Sequence, residues 1–165
     1  MRCERTMISS LALLAVLSLA CGKSPEEARR KLAEKGLAVS DEAFIKSVRD
    51  GDVDTATLFL NAGISPETKD ENGVTVLMNA AITNDVAIAK LLISRGANVN
   101  ARTMEGETAL MYAALMGRTE TASVLLEAGA ALDERDNRGA TPLAHARSHN
   151  HTLVINLLEA AGAKE

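Results

Sequence analysis

Apolar residues in this chain arrive in short blocks of two kinds. Blocks rich in Ala and Leu, such as VLMNAAI and ALMYAAL, are followed after a polar break by blocks rich in Leu, Ile and Val, such as VAIAKLLI and ASVLLEA. Glycine marks the breaks with a fixed period. Gly63, Gly96, Gly129 and Gly162 lie 33 residues apart, as do Gly73, Gly106 and Gly139, and a third series of the same spacing runs through Gly51, Asn84, Gly117 and Asn150. Gly and Asn are the residues that most readily take a left-handed backbone. Placed just past an apolar block they read as C-terminal helix caps, so each period is expected to hold two short helices followed by a turn.

One such unit has an apolar face that it cannot bury alone. Ala sits where the helices approach, and Leu, Val and Ile line the second helix. The units must therefore stack, and stability becomes approximately a sum of unit and interface terms. About three units are needed before a stack holds. The expected fold class is an all-α repeat solenoid of paired antiparallel helices with hairpin-like turns.

Aligned, the periods read NGVTVLMNAAITNDVAIAKLLISRGANVN, EGETALMYAALMGRTETASVLLEAGAALD and RGATPLAHARSHNHTLVINLLEAAGAKE. They resemble ankyrin repeats. The opening G-x-T-P-L-H-x-A-A-x-x-G of that family is matched by Gly73, Thr75, Leu77, Ala80 and Ala81, then by Gly106, Thr108, Leu110, Ala113, Ala114 and Gly117, then by Gly139, Thr141, Pro142, Leu143 and Ala146. The L-L-x-x-G-A ending is matched by Leu92, Ile93, Gly96 and Ala97 and by Leu125, Leu126, Gly129 and Ala130. A degenerate earlier copy lacks the Thr-Pro-Leu opening but keeps Gly51, Phe59, Leu60, Ala62 and Gly63. The resemblance thus implies a repeat domain over 40–165, with repeats at 40–69, 70–102, 103–135 and 136–165. Met78, Met111 and Ala144 stand at the family's His position, where the usual hydrogen bonding is expected to be lost.

Both ends of the stack look adapted to water. In the last repeat Arg147 replaces an expected Ala and Glu159 an expected Leu. At the front, Ser24, Pro25, Glu26 and Glu27 have the form of a capping box with Pro at the first helical position. A helix is expected from there to Gly36, with Glu27 and Lys31 paired at i, i+4. Ala28, Leu32, Leu37 and Val39 are expected to cover the open end of the first repeat.

Ahead of that helix, Arg2 and Arg5 precede an uncharged run from Ile8 to Ala20, too short to span a bilayer as a helix and suited to a signal-peptide core. Residues 17–21, Leu-Ser-Leu-Ala-Cys, resemble a bacterial lipobox, in which the Cys becomes the first mature residue and carries lipid. The resemblance implies a signal peptide over 1–20, lipidation of Cys21, and a segment 21–39 made of the attachment point, a short tether and the capping helix. Gly22 in place of Asp implies, by resemblance to Gram-negative lipoproteins, an outer-membrane anchor facing the periplasm. Ordinary cleavage after Ala20, or an uncleaved anchor, is the alternative.

Composition narrows the function. Removing residues 1–20 takes away Arg2, Glu4 and Arg5 and moves the formal charge from -4 to -5, so nucleic acid is not expected as a partner. Cys3 would leave with the signal and Cys21 would be consumed by lipid, so no thiol is expected for a disulfide, a nucleophile or a metal. His145, His149 and His151 cluster in the last repeat, the first two at a spacing that can bring two imidazoles to one metal. With no Cys nearby and no carboxylate at a completing helical spacing, they read as structural or surface residues, and no metal or cofactor is expected. Asp50, Asp52 and Asp54 lack the rest of a calcium ligand series and read as a solvated turn.

The ankyrin resemblance implies a protein-binding surface made of hairpin tips and the exposed stripe of each first helix. Carried onto this chain it takes in Glu71, Asn72, Val74, Asn79, Ile82 and Thr83, then Met104, Glu105, Glu107, Tyr112, Leu115 and Met116, then Asn137, Arg138, Ala140, His145, Ser148 and His149. Met104, Tyr112, Leu115 and Met116 form its expected apolar centre, rimmed by Glu105 and Glu107. The alternative is that Leu115 and Met116 pack against the neighbouring repeat. The expectation is a non-enzymatic, monomeric, lipid-anchored adaptor or scaffold that binds a periplasmic or envelope-associated protein. An inhibitor or immunity partner of a periplasmic enzyme is the competing reading, and a metal-dependent activity at the histidines a third.

Overall fold

The computed structural model describes residues 24–164. The expected signal peptide, Cys21 and the two residues after it lie outside the described residues. Helices run Pro25–Glu34 (α1), Asp41–Arg49 (α2), Val53–Asn61 (α3), Val76–Thr83 (α4), Val86–Ser94 (α5), Ala109–Leu115 (α6), Thr119–Glu127 (α7), Pro142–Ser148 (α8) and Thr152–Ala160 (α9). They pair as α2 with α3, α4 with α5, α6 with α7 and α8 with α9, and the pairs stack so that α2, α4, α6 and α8 form one row and α3, α5, α7 and α9 another. The all-α repeat solenoid is what the chain builds.

Stacking buries the same register in each pair. Phe44, Leu77, Leu110 and Leu143 fill it in the first row, and Phe59, Leu92, Leu125 and Leu158 fill it in the second. Cutting one such Leu to Ala costs about 2–5 kcal/mol. In the first pair the rings of Phe44 and Phe59 meet at 5.8 Å with a tilt of 50°, a favoured aromatic geometry. The Ala positions are equally periodic: Ala80, Ala113 and Ala146 are fully buried where helices approach.

Each first-row helix begins with a hydroxyl cap from Ser40, Thr75, Thr108 or Thr141 that accepts an N–H three residues on. At the family's His position the structure corrects the expected loss of hydrogen bonding. Met78 Sδ accepts the Thr75 N–H at 3.3 Å and Met111 Sδ accepts the Thr108 N–H at 3.4 Å, each returning the bond that the hydroxyl makes to the Met N–H. A thioether is a weak acceptor, but it closes a reciprocal cap inside the stack, and only Ala144 leaves the position apolar.

Helix α1 packs on α3 and so extends the second row by one helix, without a first-row partner. Ala28 and Leu32 are buried there, and Leu37 packs on the core, whereas Val39 is exposed. Ser24 caps the Glu27 N–H at 3.2 Å, but the Glu27 carboxylate does not return the bond; it pairs with Lys31 at 2.9 Å. The step from Gly36 to Ser40 is much shorter than that from Gly63 to Thr75 or Gly96 to Thr108, so no hairpin precedes α2. At the far end, Arg147 occupies the register of the buried Val48, Ala81 and Ala114, and its guanidinium meets Glu159 at 2.7 Å on the solvent face.

The left-handed caps are all present among the described residues, including Asn84 at φ 61 and Asn150 at φ 57. Two of the glycines separate two demands. Gly129 has φ +87 with nothing within 4 Å of an added Cβ, whereas Gly117 has φ +68 and an added Cβ would lie 2.6 Å from His151 Nδ1. Gly129→Ala should therefore cost the backbone term alone, about 1–3 kcal/mol. Gly117→Ala should cost more, and the excess should shrink when His151→Ala is added. Denaturant melts of the three variants check this, and equal losses for the two glycines would show that the His151 ring is not seated on Gly117.

Candidate protein-binding surface

Three hairpins project between successive helix pairs, and one side chain organises each tip. Asp70 Oδ1 accepts the N–H groups of Asn72 and Val74 at 2.9 and 3.0 Å, Thr103 Oγ1 accepts that of Glu107 at 3.1 Å, and Asp136 Oδ1 accepts those of Arg138 and Ala140, both at 2.9 Å. Asp70, Thr103 and Asp136 share the period of the glycines, which is the signal that would have singled them out in the sequence. The tips are also stitched to one another. The Met104 N–H donates to the Asn72 carbonyl at 3.3 Å, the Asn137 N–H to the Glu105 carbonyl at 2.9 Å, and Asn137 Nδ2 to the Met104 carbonyl at 3.0 Å.

Side chains tie neighbouring pairs together behind the tips. Arg118 Nε donates to the Ile82 carbonyl and His151 Nε2 to the Leu115 carbonyl, both at 3.0 Å. The two donors occupy the same register, at the start of α7 and α9, where neither caps its helix through a side chain. Thr121 Oγ1 donates to Asn84 Oδ1 at 2.9 Å. Because these bonds join adjacent units, they stiffen the surface on which the hairpins stand.

The expected contact residues divide on this frame. Val74, Met104, Glu105, Glu107 and Tyr112 line one concavity of about 300 Å³ together with Asn72. Met104 is 74% exposed at its edge. The Tyr112 ring packs on the core while its hydroxyl donates to Glu107 Oε2 at 2.6 Å. Leu115 and Met116 do not line this concavity; they lie at the end of α6, Leu115 half-buried and Met116 exposed. Ile82 is half-buried, and Arg138 and His149 are exposed on the last unit. Asn79, placed on the surface stripe by the sequence reading, is 4% exposed and turned inward, donating to the Thr75 carbonyl at 3.1 Å and accepting Arg49 Nε at 2.8 Å.

The three histidine rings do not converge on one point. His145 Nε2 meets Asp136 Oδ2 at 2.9 Å, His151 reaches back to Leu115, and His149 lies exposed with its ring stacked on His151 at 6.0 Å. Burial works against ionisation of Asp136, but the Ala140 N–H, His145 and the Arg138 N–H outweigh it, and the carboxyl ionises below the usual carboxylate range. Among the aspartates near Gly51, Asp52 caps α3 by accepting the Thr55 N–H at 2.9 Å and the Thr55 hydroxyl at 2.6 Å.

A larger cleft, about 490 Å³, lies elsewhere, between α2 and the first hairpin. Ile45, Lys46, Arg49 and Lys69 are among its walls. Glu71 and Asn72 of its rim were expected on the binding surface, but its α2 wall was not, because that wall belongs to the degenerate first unit, where the family pattern is weakest.

A family model described as ankyrin repeats (3 copies) matches residues 13–103, 44–136 and 100–164. The chain belongs to the ankyrin repeat family. An ankyrin repeat-containing protein of Treponema pallidum (strain Nichols) is 44% identical over 55 residues, a stretch that covers 33% of this chain and 18% of that protein. Ankyrin repeats are typically non-enzymatic protein-protein interaction modules.

Tyr112 is the chain's single Tyr and there is no Trp, so its titration can be followed alone. Burial first, then the hydrogen bond to the Glu107 carboxylate and its charge, hold the hydroxyl protonated well above the ordinary phenol range. A raised folded value means that the stability tied to this proton is intact below about pH 10, where the unfolded phenol ionises, and is lost as pH climbs towards the folded value. Phenolate absorbance should rise later in the folded protein than in urea, and Glu107→Gln should move the folded midpoint down. Superimposable folded and urea titrations would show that the hydroxyl is not held by Glu107.

Proposed function

We propose that this protein is a lipid-anchored ankyrin adaptor of the bacterial cell envelope, holding a partner protein close to the membrane. The observation that carries the binding half is the concavity of the middle unit, where the exposed thioether of Met104 stands beside the Tyr112 ring and the Glu107 carboxylate. Apolar groups of that kind, adaptable in shape and rimmed by charge, are what contact sites use. The anchoring half rests on Arg2, Arg5, the apolar run to Ala20 and Cys21. Only Gly22 and Lys23 separate Cys21 from Ser24, a reach of roughly 10 Å when extended, so the stack would stand near the bilayer surface.

Two measurements test these halves separately. The wild type should partition with outer membranes and yield a lipid-modified N-terminal peptide by mass spectrometry, and Cys21→Ser should abolish that modification. An unlipidated, soluble wild type would remove the anchor from the reading. For binding, a partner crosslinked in isolated membranes should be captured more weakly by Met104→Asp, by about 2 kcal/mol, with melting unchanged because Met104 lies outside the core. Undiminished capture would move the interface off the middle unit.

A further inference from the structure

The stitching between hairpin tips has a start that nothing occupies. Each later tip donates one backbone N–H to its predecessor, from Met104 to Asn72 and from Asn137 to Glu105. Glu71 stands at the same register in the first hairpin, and its N–H has no acceptor among the described residues. The short step from Gly36 to Ser40 is the reason, since it leaves no hairpin ahead of α2. What lies there instead is the cleft of about 490 Å³ whose walls are α2 and residues 69–72. An open backbone edge beside an empty cleft is the arrangement that accepts an added extended strand.

Charge selects the kind of strand. Asp41, Glu42, Asp50 and Glu71 line the cleft with Lys46 and Lys69, while Arg49 is already engaged by Asp70 at 3.3 Å and by Asn79. With Arg49 set against Asp70, the remaining charged side chains leave an acidic excess, and the whole chain is acidic as well. Building on the reading as an interaction module, we propose that an extended segment of a partner protein bearing Lys or Arg docks here, one of its carbonyls accepting the Glu71 N–H while its cations meet Glu42 and Glu71. Ile45, at the floor of the cleft, would contact the aliphatic stems of those cations.

The probes are fluorescein-labelled octapeptides of alternating Thr and Lys, and of alternating Thr and Glu, added to the full chain in detergent. The Lys peptide should bind, more weakly as salt rises, and the Glu peptide should not. Amide exchange at Glu71 should slow at least tenfold in the bound state, a readout that surface attraction alone would not move. The charge-reversal pair Glu42→Lys with Glu71→Lys, both exposed and outside the core, should lower affinity for the Lys peptide at least tenfold with unchanged circular dichroism. No binding, unaltered Glu71 exchange in the complex, or equal affinity in the reversed variant would each overturn the proposal. So would a doubling of mass on sedimentation without peptide accompanied by Glu71 protection, since a second copy would then hold the edge. Capture through Met104 is read independently, so failure here with that capture intact removes this site and leaves the adaptor reading standing.

Discussion

Every feature of this molecule depends on the fact that one helix pair cannot bury its own apolar face. Phe44, Leu77, Leu110 and Leu143 are dry only because a neighbour lies against each. Free energy is gained at interfaces between units, which makes the ends special. The two ends are finished differently. At the front, α1 supplies Ala28 and Leu32 to cover the second row alone, while at the back the buried Ala register is replaced by Arg147 and a leucine register by Glu159, which pair in water. A front cap of one helix is sufficient for the apolar surface of α3, and it leaves the hairpin side of α2 uncovered.

The polar contacts follow the same nearest-neighbour logic. Arg118 and His151 reach from one unit to a carbonyl in the one before, and Thr121 to Asn84 does likewise. None of these bonds spans more than one interface. Their effect is to fix the angle between adjacent units, and with it the spacing of the hairpin tips. Gly117 shows how tightly the two requirements are joined, because the same residue closes α6 with a left-handed backbone and makes room for the His151 ring.

Local geometry was legible in the sequence and inter-unit geometry was not. The period and the Gly and Asn caps follow from spacing and residue type, because each cap is a demand that a single turn of backbone makes on its own residue, and Arg147 and Glu159 stood out as polar residues in registers that are apolar in the other units. Asn79 was misplaced because its partner Arg49 lies in the previous unit, and a polar residue on a helix gives no sign of such a partner. The Met sulfurs as acceptors were missed because the family pattern directs attention to an absent His rather than to what a thioether at that register can reach. For the binding surface, the sequence grouped Leu115 and Met116 with Met104 and Tyr112 by position in the repeat. The fold keeps Met104, Tyr112, Glu105, Glu107 and Val74 together and sets the helix end apart, since the hairpin tips lean over the start of α6.

The separation of core from tip explains how such a surface can change without unfolding the protein. Residues that hold the stack are small or apolar and repeat every unit; those at the tips, such as Glu71, Met104 and Asn137 in one register, differ, and the bond that Met104 and Asn137 have in common is made by the backbone, to which Asn137 adds one from its side chain. Tyr112 belongs to both classes, packing its ring on the core while its hydroxyl engages Glu107 in the concavity. A partner that approached Glu107 would compete for that hydrogen bond, and the cost of breaking it would fall on binding rather than on folding, because the ring remains seated. Recognition at the middle unit therefore draws on a hydrogen bond already made within the protein, whereas at the first hairpin the Glu71 N–H is open and the cleft beside it reaches the core side chain of Ile45.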